Sequence, residues 1–260
     1  MQPEYHVAIA GWSIRSEQKD LFAADGSHLQ RYASRFGAVE INSSFYRPHK
    51  RETYERWAAS VPAAFRFSVK MPKLLTHERC LDDTGDAVKR FLREIAGLGD
   101  KLGCVLVQLP PGLAYDPRTV ESFFSALRAR YRGPVVCEPR HPTWFTGAAE
   151  ARLHVHGVGR VAADPSRGDG GDAPAASPRV AYFRLHGSPV MYQSSYSDEY
   201  LSLLSMRIRG LGERAPVWCV FDNTARGAAT INALELRDRL RSRRSTSSPS
   251  LPRRSRTCAL

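Results

Sequence analysis

"VEINSSFYR", residues 39–47, starts as a buried strand and then breaks its own pattern. Side chains of an extended chain alternate between two faces, so Val39 and Ile41 share one side while Glu40 and Asn42 share the other. The question is why a carboxylate and an amide should occupy a face that the surrounding sequence marks as interior.

The rest of the chain supplies the setting. Short β-branched runs recur at "HVAIAG" (6–11), "AVEIN" (38–42), "RFSVK" (66–70), "CVLVQL" (104–109), "PVVCE" (134–138), "RVAAD" (160–164), "VAYFRLH" (180–186) and "PVWCVFD" (216–222). Amphipathic stretches lie between most of them, and "GAATINALELRDRL" follows the last. One long helical pattern is "GDAVKRFLREIAGLGDKL", residues 85–102. The exception is "PSRGDGGDAPAASP" (165–178), too rich in Gly and Pro for a helix, so the sixth crossover is expected to be an irregular loop. Eight strand–helix repeats in about 240 residues predict an α/β fold, a TIM (β/α)8-type barrel of parallel strands, as one domain over residues 1–240. A doubly wound open sheet is the runner-up, and no GxGxxG follows a strand to support it.

Applied to every strand, the two-residue period answers the opening question. It groups Glu40 with Asn42, Ser68 with Lys70, Leu106 with Gln108, Val136 with Glu138 and Arg140, Ala162 with Asp164, Tyr182 with Arg184 and His186, and Val220 with Asp222. The opposite faces, such as Val105 with Val107 and Phe183 with Leu185, are apolar and suit packing against helices. The polar set must then point into the barrel and crowd the C-terminal strand ends, where TIM-barrel enzymes keep their chemistry. Glu40, Glu138, Asp164 and Asp222 would meet Lys70, Arg140 and Arg184 there, with His141, His186 and His77 close by. Ionised groups in a dehydrated mouth cost several kcal/mol each unless paired. An ion-pair lattice that merely closes the barrel would explain some of them; so many converging charges favour a ligand-binding centre.

The net charge of +12 invites a nucleic-acid reading, but seven arginines and no acid fall between Arg239 and Leu260, leaving +5 for the remainder. That Ser/Arg/Pro-rich end, residues 241–260, lacks the apolar content to order itself and is expected to be an unordered tail. No basic start followed by an apolar core, and no apolar run near 18 residues, is present, so a cytoplasmic protein without membrane partners is expected. The five cysteines form no CxxC pair and read as reduced, packed thiols. Loops after the strands are dense in aromatics: Trp12, Phe45, Tyr46, Trp144, Phe145, Tyr192 and Tyr196 are candidates for stacking walls around a ligand.

"GWS" near the start, "VEINSSFYR", "FSVK…TH", "KLGCVLVQLPP", "EPRHPTWF", "YFRLHG…MY…Y" and "FDNTARGAAT", in that order, resemble the domain-of-unknown-function 72 (YecE-like) family over residues 6–240. The resemblance implies a TIM barrel and names no reaction. It implies that Glu40, Asn42, Lys70, Gln108, Glu138, Arg140, His141, Arg184, His186, Asp222 and Asn223 belong to the family's characteristic set. Past Leu240 the sequence leaves the family's pattern.

Glu40 and Glu138 are the candidate general bases, His141 and His186 the candidate general acids, and Asp222 completes the catalytic set. Trp12, Asn42, Tyr46, Lys70, Gln108, Arg140, Arg184 and Asn223 are the candidate substrate-binding residues, with Lys70, Arg140 and Arg184 holding an anion. The expected partner is a small phosphorylated or nucleic-acid-like molecule that is hydrolysed or isomerised; a module that only captures such an anion is the alternative. Barrels such as endonuclease IV and xylose isomerase bind metals through carboxylates and histidines, and Glu138, Asp164, His186 and Asp222 imitate that set. The adjacent lysine and arginines would repel a divalent cation, so neither metal nor other cofactor is expected.

Overall fold

The computed structural model describes residues 3–177 and 179–242. Most of the expected tail, residues 243–260, lies outside the described residues, as does Pro178 of the sixth crossover.

Nine β segments make the eight staves of a closed barrel. They are β1 (Tyr5–Ile9), β2 (Ala38–Ile41), β3 (Arg66–Lys70), β4 (Leu102–Gln108), β5 (Val135–Glu138), β6 (Val158–Arg160), β7 (Ala162–Asp164), β8 (Ala181–Leu185) and β9 (Val217–Phe221). One parallel sheet runs β2-β3-β4-β5-β6 and the other β1-β9-β8-β7. The two meet on one side where Ala10 bridges Glu40, with the Gly11 amide donating to the Glu40 carbonyl at 2.9 Å. On the other side the chain itself joins them, since β6 and β7 are halves of one stave interrupted at Val161. The strands are short and rich in Val, Ile, Phe and Cys, buried on both faces as parallel strands are.

Eight helical segments surround the staves: α1 (His28–Ala33), α2 (Ser43–Tyr46), α3 (Arg51–Ala59), α4 (Gly85–Ile95), α5 (Pro117–Arg128), α6 (Gly147–Val155), α7 (Asp198–Gly212) and α8 (Ala228–Arg241). Local chemistry sets their starts. Ser27 and Gln30 form a capping box at α1, and Asp116 accepts from the Thr119 amide at 2.7 Å where Pro117 opens α5. The α-helix of the 85–102 pattern ends at Ile95 and a tighter helical segment follows, kinked at Gly99 (φ 53°), while Gly97 passes so near α3 that a Cβ there would lie 2.5 Å from the Arg51 carbonyl oxygen. Between β7 and β8 the described residues hold no helix, as the Gly/Pro content predicts. No helix among the described residues is long and apolar enough to cross a membrane.

The core has two compartments. The outward strand faces and the helices build the larger one, with Val39, Phe67, Val107, Phe183 and Phe221 among its members. Inside the barrel, Ala8, Ala38, Cys104, Leu106, Val136, Val161, Val180, Tyr182, Trp218 and Val220 pack a separate apolar layer. Tyr182 and Trp218 stack at 5.9 Å with their planes 9° apart, filling its lower half. The polar residues of the strand ends rest on this floor.

Candidate active site at the barrel mouth

Arg184 organises the mouth. It is fully buried on β8, and its guanidinium donates to Glu40 through Nε at 3.0 Å and Nη2 at 2.7 Å, to Glu138 through Nη1 at 2.8 Å, and to Asp222 through Nη2 at 3.1 Å. Three carboxylates from β2, the end of β5 and the turn after β9 thus surround one cation. Burial alone would disfavour these charges; the carboxylates outweigh it and raise the Arg184 pKa well above its ordinary value. Burial likewise opposes ionisation of Glu138, but Arg184, His186 and Arg140 together hold it well below the usual carboxylate range. Asp222 is lowered against the same penalty by Arg184 and by its hydrogen bond with His186. Beneath, the Tyr182 hydroxyl bridges Glu40 at 2.9 Å and Ser68 at 2.8 Å.

His186 is bracketed by acids, with Nδ1 3.1 Å from Asp222 Oδ2 and Nε2 2.9 Å from Glu138 Oε1. A neutral ring can donate to only one of them, whereas a proton delivered to the ring gives both nitrogens an acceptor. Arg140 places Nη2 against Glu138 at 2.9 Å and His186 at 3.1 Å. Its Nε and Nη1 have no partner among the described residues.

Lys70 differs from every other charge in the group. It ends β3, buried, with its backbone fixed by the Ser44 hydroxyl donating to the Lys70 carbonyl at 2.7 Å. Its ammonium lies 4.1 Å from the centre of the Phe45 ring and makes neither ion pair nor hydrogen bond among the described residues. Burial pushes the amine down to about 8; Arg184 adds to the shift, and Glu40, Glu138 and Asp222 oppose it. His77, on the helical turn Leu74–Glu78, meets the Phe45 ring edge-on at 4.9 Å and is lowered by burial and then by Lys70 and Arg140. Gln108 stands in register with Glu138 at the end of β4. Tyr192 meets the His186 ring edge-on at 5.8 Å from a left-handed backbone (φ 65°), a conformation that costs a non-glycine residue energy.

The structure therefore brings together Glu40, Lys70, Gln108, Glu138, Arg140, Arg184, His186 and Asp222. The other five candidates make no hydrogen bond to this charged cluster among the described residues. His141 caps the turn Pro142–Trp144, its Nδ1 paired with the Thr143 hydroxyl at 2.9 Å. Trp12 packs edge-on against Trp57 at 5.0 Å. Tyr46 is 78% exposed and lines a cavity of about 260 Å³ with Phe45, Lys73 and Arg90, beside the mouth rather than in it. Asn42 precedes α2 with its Oδ1 enclosed and unpartnered. Asn223 is structural, its amide donating to the Ser194 carbonyl at 2.9 Å and to Asn232 at 3.0 Å.

Asp164 also corrects the expected parity. Ala162 and Asp164 are in register with Phe183 and Leu185, which face the helices, so Asp164 points outward, where burial and then the Asp164 charge raise the pKa of Tyr196. Val161 faces the interior instead. Among the stacking candidates, Trp144 and Tyr196 are packing residues, Trp144 donating Nε1 to the Leu113 carbonyl. Two contributors were missed: Tyr182, whose shared parity with Arg184 already placed it inward, and Asn232, a helical residue with no distinguishing signal. No group of three or more His, Cys, Asp or Glu among the described residues is arranged to hold a metal ion. The Arg184 guanidinium occupies the space between the carboxylates.

The profile described as "Protein of unknown function DUF72" matches residues 6–256, further than the residue-240 limit read from the motifs. The chain is 32% identical over 144 residues to "UPF0759 protein YecE" of Escherichia coli (strain K12), 52% of each chain, and 27% identical over 150 residues to "UPF0759 protein YunF" of Bacillus subtilis (strain 168), 54% of this chain and 52% of that one. These alignments span about half the length of the curated relatives. A DUF72 crystal structure from Enterococcus faecalis V583 superposes with a TM-score of 0.77 at 20% identity, covering 91% of this chain and 95% of that one. One from Thermotoga maritima MSB8 gives 0.76 at 24%, covering 92% and 100%. Barrel, motif order and profile agree, and the chain belongs to the YecE-like DUF72 family.

Proposed function

We propose that the barrel mouth binds a small phosphorylated or nucleic-acid-like anion and moves a proton on it without a metal. One observation carries this reading. Every carboxylate in the cluster is paired, whereas Lys70 Nζ and Arg140 Nε and Nη1 have no partner among the described residues. Lys70 is buried and Arg140 half-buried, and the donors that neither spends on the protein are open to an anion from outside. Arg184 moves from anion holder to organiser, because its donors are committed to three acids. His186 is the proton carrier, with Glu138 and Asp222 setting its orientation. Glu138 and Asp222 are poor bases, since the surrounding cations stabilise their ionised forms.

Calorimetric titration with ribose 5-phosphate and with a short single-stranded oligonucleotide tests this. Lys70→Gln and Arg140→Gln should each weaken binding by about tenfold or more, the value of one charge-assisted contact; wild-type affinity in both variants would overturn the assignment. The low basicity of Glu138 and Asp222 favours a second reading, capture without turnover. His186→Gln separates the two: lost turnover with retained affinity supports catalysis, and no turnover by the wild type across phosphatase, nuclease and isomerase substrates supports capture.

A further inference from the structure

Lysine is scarce in this chain: there are six, against 32 arginines. Lys19, Lys50, Lys73 and Lys89 are exposed, and Lys101 is half-buried with its ammonium on the Ala58 and Val61 carbonyls, both at 2.6 Å. Lys70 alone is buried, and it alone stands inside the barrel. Charge by itself does not explain the choice, because arginine supplies charge nearly everywhere else and holds planar anions better. What lysine has and arginine lacks is a nitrogen that can lose its proton and become a nucleophile.

We propose that Lys70 forms an imine with the carbonyl carbon of a phosphorylated aldehyde or ketone, while Arg140 holds the phosphate. The inference rests on the anion reading of the same mouth and adds the substrate's reactive group. The geometry suits it. Lys70 Nζ makes no ion pair with a carboxylate among the described residues and is buried in the mouth, where desolvation and then Arg184 favour the neutral amine and outweigh the attraction of the Phe45 ring for the ammonium. Its lowering to about 8 leaves about a tenth uncharged near neutral pH, roughly three-hundredfold more than for an ordinary lysine.

The nitrogen lone pair forms the N–C bond as the carbonyl π bond breaks, and a proton passes from nitrogen to oxygen to give a carbinolamine. Protonation of that oxygen and its loss as water form the C=N bond. Amine and carbonyl thus become imine and water with no change in oxidation state. The protonated imine keeps the single positive charge of the ammonium, so the mouth's balance with Glu40, Glu138 and Asp222 is preserved. It would also draw electrons from the adjacent carbon, the chemistry an isomerisation needs.

Pyridoxal 5′-phosphate, an anionic aldehyde, is the probe, with sodium borohydride supplying the hydride that reduces the imine to a stable secondary amine. Peptide mass spectrometry should find the adduct at Lys70 at least about tenfold faster than at the exposed lysines, with its rate rising between pH 7 and 9 and inorganic phosphate competing. 5-Deoxypyridoxal, which lacks both the phosphate and the hydroxyl that closes pyridoxal into a hemiacetal, should label more slowly, and Arg140→Gln should erase that difference. Lys70→Arg, checked for a wild-type circular dichroism spectrum, should remove the adduct. Phosphate-competable binding without preferential reduction at Lys70 would overturn the imine and leave the anion reading standing. Equal labelling by 5-deoxypyridoxal and pyridoxal 5′-phosphate would keep the imine and overturn the phosphate subsite.

Discussion

At the scale of single residues, Lys70 and Arg184 show two ways of burying a cation. Arg184 is matched donor by donor with three acids. Lys70 feels the same acids only from a distance, so its desolvation is incompletely offset and its pKa falls from 10.5 to about 8. The consequence for stability has a definite sign. Below about 8 both folded and unfolded chains carry the proton, and the folded state bears the whole cost. Between 8 and 10.5 the folded chain loses the proton first, so stability rises with pH across that window. Lys70→Met should therefore stabilise the protein at pH 7 by about 1–3 kcal/mol and flatten the rise between pH 8 and 10.5. Urea unfolding of both proteins at several pH values measures this, and parallel curves would show that the amine is effectively solvated.

At the scale of elements, legibility depended on contrast between the two faces of a strand. "AVEIN", "RFSVK" and "AYFRL" alternate sharply, and Glu40, Lys70 and Arg184 lie where the period puts them. "RVAAD" offers two adjacent alanines, so its faces contrast little. The period groups its aspartate with Ala162 and turns both inward, but the stave is interrupted at Val161 and Asp164 faces outward. Residues beyond a strand's end escape the period altogether: His141 has turned to cap a loop, while Arg140, one residue earlier, reaches the cluster. Asn232 was invisible because a polar residue inside a helix ordinarily meets water. It is instead buried on α8, where its Oδ1 accepts from the Tyr196 amide at 3.0 Å and the Asn223 amide at 3.0 Å, and its Nδ2 donates to the Tyr196 carbonyl at 3.2 Å. This one side chain ties α8 to the loop that carries Tyr192 over His186. Asn232→Ala should cost about 2–3 kcal/mol, because it strands several buried polar groups at once. Urea unfolding measures the loss, with faster hydrogen exchange at the Tyr196 amide as its local signature.

At the scale of the whole molecule, the barrel is closed twice, by its backbone ladders and by the side chains at its mouth. Arg184 stands in the β1-β9-β8-β7 sheet, while Glu40 and Glu138 stand in the other, so the ion pairs cross the barrel and tie the sheets together. The apolar floor below supports them without screening, because Tyr182 and Trp218 exclude water from the lower half. That arrangement makes acid stability a property of the barrel rather than of its surface. Glu138 and Asp222 titrate below their ordinary values of 4.5 and 3.8 in the folded chain. Their contribution is complete above those values and is lost as pH falls through the lower folded ones, since the unfolded chain then binds the protons more readily. Glu138→Gln removes one such group while leaving Arg184 its contacts with Glu40 and Asp222. The variant should be less stable at pH 7, by about 3 kcal/mol for a broken buried pair, and its stability should fall less steeply than the wild type's below pH 4.5, by about one proton taken up on unfolding. Denaturant midpoints between pH 2 and 7 give both quantities. Equal acid slopes in the two proteins would mean that the mouth opens to water before the barrel unfolds, uncoupling its ion pairs from closure of the fold.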